Sequence, residues 1–198
     1  LREQHEEALE MDLKAVSIIS NFPKRFLPIH LISDMYFIKS TFRKNTNDEI
    51  LSLPMLEDKD KLLFLKVLSS MWVRAYMCRK TVLTLFCIAR GLCTTLQYGL
   101  SPPGAHAFGA YGSLLCGPLA DYKTGVRLGE LSHQILELTK DKEFESRVLF
   151  TTAIHIDAWV CPLSEVQAIL HRGYQAGMET GDTEFAFLSA AYYNIHAY

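Results

Sequence analysis

Residues 99–138 read Gly-Leu-Ser-Pro-Pro-Gly-Ala-His-Ala-Phe-Gly-Ala-Tyr-Gly-Ser-Leu-Leu-Cys-Gly-Pro-Leu-Ala-Asp-Tyr-Lys-Thr-Gly-Val-Arg-Leu-Gly-Glu-Leu-Ser-His-Gln-Ile-Leu-Glu-Leu. The spacing predicts two helices with a turn at Gly117-Pro118. Each helix carries a stripe of small residues at helical intervals: Ala105, Gly109, Gly112 and Cys116 in the first, Gly125, Gly129 and Ser132 in the second. A glycine inside a helix costs about 1 kcal/mol relative to alanine. Gly109, Gly112, Gly125 and Gly129 together therefore cost roughly 4 kcal/mol, in a fold class only ~5–15 kcal/mol stable. Close approach of two backbones is the simplest compensation, because small facing residues let helices pack nearer than usual.

The second helix divides into three stripes. Gly125, Gly129, Ser132 and Leu136 form one, and Leu128, Leu131, Ile135 and Leu138 another. Lys123, Arg127, Glu130, Gln134 and Glu137 form a polar third. Two apolar faces and one wet face imply cover on two sides, as stacked helical hairpins require.

Working outward, apolar residues recur at helical spacing in 6–20, 26–42, 58–78 and 81–98. The same holds for 144–160, 163–180 and 183–198. A short helix is expected near 48–53, capped by Asn47 or Asp48 and stopped by Pro54. Gly181-Asp182 is a stop followed by a cap. No segment sustains period-two alternation. The expected fold is all-α, with short connections and antiparallel neighbours throughout 1–198. A sub-boundary is expected, if anywhere, in the polar loop 43–48.

Hydrophobic residues make up 49% and charged residues 21%, a balance that excludes disorder. Net charge is −2, which gives nucleic acid no basic surface. The longest apolar runs, 81–89 and 148–163, are too short or too polar for a spanning helix. Five cysteines, an odd number with no Cys-x-x-Cys, read as buried reduced thiols of a cytoplasmic protein. The charged start has no leader-like apolar segment, and the chain reads as a piece of something longer.

The order small–small–turn–Asp121-Tyr122–small–small matches tetratricopeptide logic, in which a glycine of one helix meets a small residue of the next across a turn. Residues 144–182 echo it through Gly173, Gly177, Gly181 and Asp182. The expected architecture is thus a tetratricopeptide-like α-solenoid of stacked hairpins.

Several segments resemble one family: Asp48-Glu49-Ile50-Leu51-Ser52-Leu53-Pro54-Met55, Ala75-Tyr76, Tyr98-Gly99-Leu100-Ser101 and Ala110-Tyr111-Gly112-Ser113-Leu114-Leu115-Cys116-Gly117. Asp121-Tyr122-x-x-Gly125 with Gly129, and Gly173-Tyr174-x-x-Gly177-x-x-x-Gly181-Asp182, complete the set. They are similar to the helical region that follows the AAA/NACHT-like ATPase in very large signalling proteins. Those proteins combine a serine/threonine kinase-like domain, that ATPase, a tetratricopeptide-like region, a GAF sensor and a histidine kinase. The likeness runs from about residue 8 onward and rests on small, Gly and Pro positions. Neither a phosphate loop nor kinase His-Arg-Asp or Asp-Phe-Gly occurs, so no catalytic residue carries over. The resemblance implies a non-catalytic scaffold for signal transduction, partnered by the flanking ATPase and kinase domains or by peptide or protein ligands. It implies no cofactor, metal, nucleic acid or membrane.

Sharper chemistry has few candidates. His155 and Asp157, with His171, are the best metal or acid–base set, but the first two sit about 200° apart on a helix. His106 and His133 are expected to face solvent or a repeat junction, and Trp72 and Trp159 to be core. Cys87 and Cys93 lack a neighbour that would depress a thiol pKa. The alternative function is a sensory domain holding a small apolar ligand between helices, lined by Phe150, Trp159 and Leu170. The aromatic stretch Phe185, Phe187, Tyr192, Tyr193 and Tyr198 is read as the face for a next repeat.

Overall fold

The structure, a computed structural model, describes residues 2–20, 22–23 and 27–195. Tyr198, read as part of the aromatic face, lies outside them. Helices account for most of the described residues, in the order α1 (Arg2–Ile19), α2 (Leu27–Lys44), α3 (Asn47–Leu51), α4 (Lys59–Met77) and α5 (Thr81–Tyr98). Then follow α6 (Pro102–Cys116), α7 (Tyr122–Thr139), α8 (Glu145–His155), a 3-10 turn (Asp157–Trp159), α9 (Leu163–Thr180) and α10 (Thr183–Ile195). No sheet forms among the described residues, and a single isolated bridge joins Met55 to Leu100. The protein is all-α.

Local chemistry explains several helix ends. Thr46, not Asn47 or Asp48, caps α3: its hydroxyl accepts from Glu49 N, and the Glu49 carboxylate accepts from Thr46 N. This reciprocal box satisfies two otherwise orphaned donors. Asp58 caps α4, accepting from Asp60 N and Lys61 N, and Asp121 caps α7, accepting from Thr124 N. Gly181 ends α9 in the left-handed conformation. The expected helix over 144–160 also fails to form as one. α8 stops at His155, Ile156 leaves helical geometry, and 157–159 tighten into the 3-10 turn.

The chain divides into two compact units, residues 1–107 and 108–198. The division falls within α6 rather than in loop 43–48.

In the first unit α1 packs on α4, α4 on α5, and α2 on α5. Leu9, Val16, Leu68, Met71, Phe86 and Cys87 form the core, each buried by the helical stripe that carries it. Two charge pairs lie along its margins. Arg74 Nη1 donates to Asp12 at 2.5 Å, joining α4 to α1. Arg90 Nε lies 2.9 Å from the Asp34 carboxylate, joining α5 to α2. Burial pushes both Asp12 and Asp34 above the usual carboxylate range, against the pull of their arginines. The pairs therefore place helices more than they stabilise them.

The segment 54–56 crosses the end of α5. Leu100 N donates to Pro54 O and Leu56 N to Leu100 O, both at 2.8 Å. Gly99 sits between, at φ +129°, and a Cβ there would run into Pro54 O. Only glycine fits both the torsion and the crossing. Two of the quoted family-like segments, 48–55 and 98–101, thus meet at one point.

In the second unit α7 packs on α8, α8 on α9, and α9 on α10. Leu128, Leu131, Ile135, Val148, Leu149 and Leu170 are buried there. Arg147 is held between the rings of Phe144 and Phe185 and donates to Asp182 at 2.6 Å.

Gly99→Ala is expected to lose roughly 1–3 kcal/mol in urea unfolding, the scale of a strained backbone conformation plus a clash. Gly181→Ala is expected to lose only about 1 kcal/mol, because a Cβ there meets nothing within 4 Å. Equal losses at the two positions would contradict the crossing at Pro54.

Candidate functional site

Ala105 falls in the first unit; the rest of the small-residue stripes, from Gly109 on, lie in the second unit and define a tight seam there. A Cβ on Gly112 would fall 2.9 Å from Gly125 O and 2.8 Å from Ile156 Cδ1. One on Gly125 would fall 2.9 Å from Gly112 O and would overlap Cys116 Sγ. The backbones of α6 and α7 therefore touch at this pair. The other two glycines have different neighbours. Gly109 faces the Ser132 and Thr152 side chains, and Gly129 faces Ile156. Ile156 is 1% exposed and projects into a socket walled by Gly112 and Gly129.

On α7 the stripe Gly125, Gly129, Ser132 and Leu136 is buried, as are Leu128, Leu131 and Ile135. Leu138, read as part of the second apolar face, is exposed. At the preceding turn Asp121 caps the helix while Tyr122 points out.

On α9, Gly177 is the convergence point of three helices. A Cβ there would meet Ser146 Oγ of α8 at 2.7 Å and Ala186 Cβ of α10 at 2.8 Å. Gly173 lies against Ser189 in the same way, at 3.1 Å. Asp182 receives the Arg147 guanidinium.

His155, Asp157 and His171 each find a different partner. Asp157 pairs with His133 Nε2 at 3.2 Å, and His155 turns its Nδ1 to Thr151 O. His171 lies beside the Tyr193 ring. No group of three His, Cys, Asp or Glu with metal-holding geometry occurs among the described residues. His106 is fully buried rather than solvent-facing, hydrogen-bonded to Ser69 at 2.7 Å and packed against Trp72. Nothing in the local sequence marks this pair, since Ser69 and His106 are far apart in the chain. Trp159 is 70% exposed rather than core, because the early end of α8 carries it out on the 3-10 turn.

Open concavities occur in the first unit. A cleft of about 430 Å³ is lined by Phe22, Phe64, Arg90, Thr94 and Tyr98, with Lys61 at its edge. A second, of about 450 Å³, runs past Pro54, Met55 and Leu56 and shares Asp58, Lys61 and Tyr98 with the first. The Lys61 ammonium lies 4.6 Å from the Tyr98 ring centroid and also pairs with Asp58, which holds the Asp58 carboxyl below its usual range. Asp58, Asp60 and Gln97 also line the first cleft, and an aromatic face with two cations among mixed polar and apolar walls suits a polypeptide surface. Sequence reasoning does not single out these lining residues as a site. Lys61 and Tyr98 come together only through the packing of α4 on α5.

No family model, curated protein or solved structure matches the chain.

Cys78, Cys87, Cys93 and Cys116 are buried, and Cys161 is partly exposed. Burial pushes the Cys87 and Cys93 thiols far above their ordinary range. Native protein treated with iodoacetamide is expected to be alkylated at Cys161 first, with the others following only on unfolding. Mass spectrometry showing Cys87 or Cys93 modified as fast as Cys161 would contradict this burial.

Proposed function

We propose that this chain is a non-catalytic helical scaffold that binds protein or peptide partners within a multidomain signal-transduction protein. In this reading its helices pair as antiparallel hairpins and stack in tetratricopeptide-like fashion. The observation that carries the stacking is the α8–α9–α10 convergence, with Gly177 opposite Ala186 and Gly173 opposite Ser189. That register is the one expected of consecutive helices folded back on each other through a two-residue turn. The resemblance of the Gly and Pro segments supports the setting beside an ATPase and a kinase, with the flanking domains as partners and the cytoplasm as compartment.

Binding falls to the clefts around Lys61 and Tyr98, where an aromatic ring and a cation form the kind of anchor that dominates interfaces. The sensory alternative gains little from the residues named for it. Phe150 is packed edge-on by Phe185 and Tyr192, while Trp159 points to solvent.

Purified chain is expected to bind the segments encoded on either side of it in a pull-down. Tyr98→Ala with Lys61→Ala should weaken that binding roughly tenfold or more, the scale of a hot-spot truncation. Absence of binding to either flank, or undiminished binding by the double variant, would sink the proposal.

A further inference from the structure

α1 and α2 pack over one core, which Leu9 and Val16 enter from α1 and Leu31 borders from α2. Each also turns one face to solvent. On α1 that face carries Glu7, Glu10, Met11, Lys14 and Ile18; on α2 it carries Ile29, Ile32, Tyr36, Lys39 and Arg43. Both sets recur at intervals of three and four, the signature of one helix side. Solvent is an unfavourable setting for these apolar residues: Ile18 is 86% and Tyr36 77% exposed. On α2 Ile29, Ile32 and Tyr36 form a contiguous apolar stripe, while on α1 Met11 and Ile18 flank Lys14; exposed apolar surface of this kind marks an interaction surface.

The charges on the two faces are complementary. α1 places its acids in its first half and its apolar residues after them. α2 has the apolar residues first and Lys39, Arg43 and Lys44 at its end. None of Glu7, Glu10, Lys39, Arg43 and Lys44 forms an ion pair among the described residues. The basic end is also concave, with Tyr36, Lys39, Ser40 and Arg43 lining an open hollow of about 510 Å³. A helix C-terminus favours cations by its dipole, which accounts for Arg43 and Lys44 but not for the apolar half of the face.

We propose that this face binds a second copy of the chain, with α1 of each copy lying along α2 of the other in the opposite direction. Glu7 and Glu10 then meet Arg43 and Lys39. Lys14 lies over Tyr36, and Ile18 packs on Ile32 and Ile29. Both helices have 18 residues, so they run side by side for about 27 Å. The contact is isologous: a two-fold axis makes each pairing twice. Two helix faces of this length reach only the low end of specific interfaces, about 1,200 Å² in total, so the affinity is micromolar rather than nanomolar. The inference goes beyond the scaffold reading and does not depend on the parentage behind it.

Sedimentation equilibrium of the 198-residue chain tests it. Wild type is expected to dimerise at roughly 100 µM and to dissociate as salt rises. Glu7→Lys with Glu10→Lys makes both faces basic, and Lys39→Glu with Arg43→Glu makes both acidic. Each variant alone is expected to associate at least ~10-fold more weakly, while their equimolar mixture regains a dimer because opposite faces meet again. Circular dichroism checks that both remain helical. Should either unfold, the neutral Tyr36→Ser variant carries the same expectation of weaker association. A monomeric wild type at that concentration, variants that associate as wild type does, or a mixture that stays monomeric would each overturn the proposal.

Discussion

Ile156 sits in a socket that exists because Gly112 and Gly129 have no side chains. Its Cδ1 and Cγ2 fill the space that a Cβ on either glycine would occupy. The rest of the second unit depends on this fit. Around it α6 and α7 close until Gly112 and Gly125 touch through their backbones. α8 must end before Ile156, since the residue cannot both continue the helix and point into the seam. The chain then turns through 157–159, where Asp157 meets His133 and its backbone O accepts from Val160 N and Cys161 N. Dispersion attraction across so close an approach offsets the helix propensity lost at each glycine.

This explains which parts of the fold are legible in the sequence. The small-residue stripes can be read because their spacing is local: 109, 112, 125 and 129 mark helix faces whatever they meet. What they meet is not local. Two of the four glycines face Ile156 or α8 rather than each other, and nothing between residues 144 and 160 breaks a helix pattern. Pro162 is the first breaker, several residues after α8 has ended. Tertiary packing overrides propensity there, and the exposure of Trp159 follows from the same early end. The expectation for His106 fails for a similar reason. Its partner Ser69 lies one helix pair away, and only the fold shows that a polar pair is buried beside Trp72.

In the first unit the organising contacts are polar. Asp12 with Arg74 and Asp34 with Arg90 fix α1 against α4 and α2 against α5, at a desolvation penalty visible in the raised carboxyl pKa values. Gly99 secures the crossing of 54–56 over α5 and with it the cleft around Lys61 and Tyr98. The candidate site is the least legible part, because a cation over an aromatic ring leaves no spacing signature when its members sit on different helices.

The socket is tested most directly by a double-mutant cycle at Gly129 and Ile156, because the three atoms nearest to a Cβ on Gly129 all belong to Ile156. Gly129→Ala alone should destabilise the chain in urea unfolding, and so should Ile156→Ala. Combined with Ile156→Ala, the Gly129→Ala change should do no further harm, giving a coupling of roughly 1–3 kcal/mol. Strictly additive losses would show that the glycine is not there to receive the isoleucine.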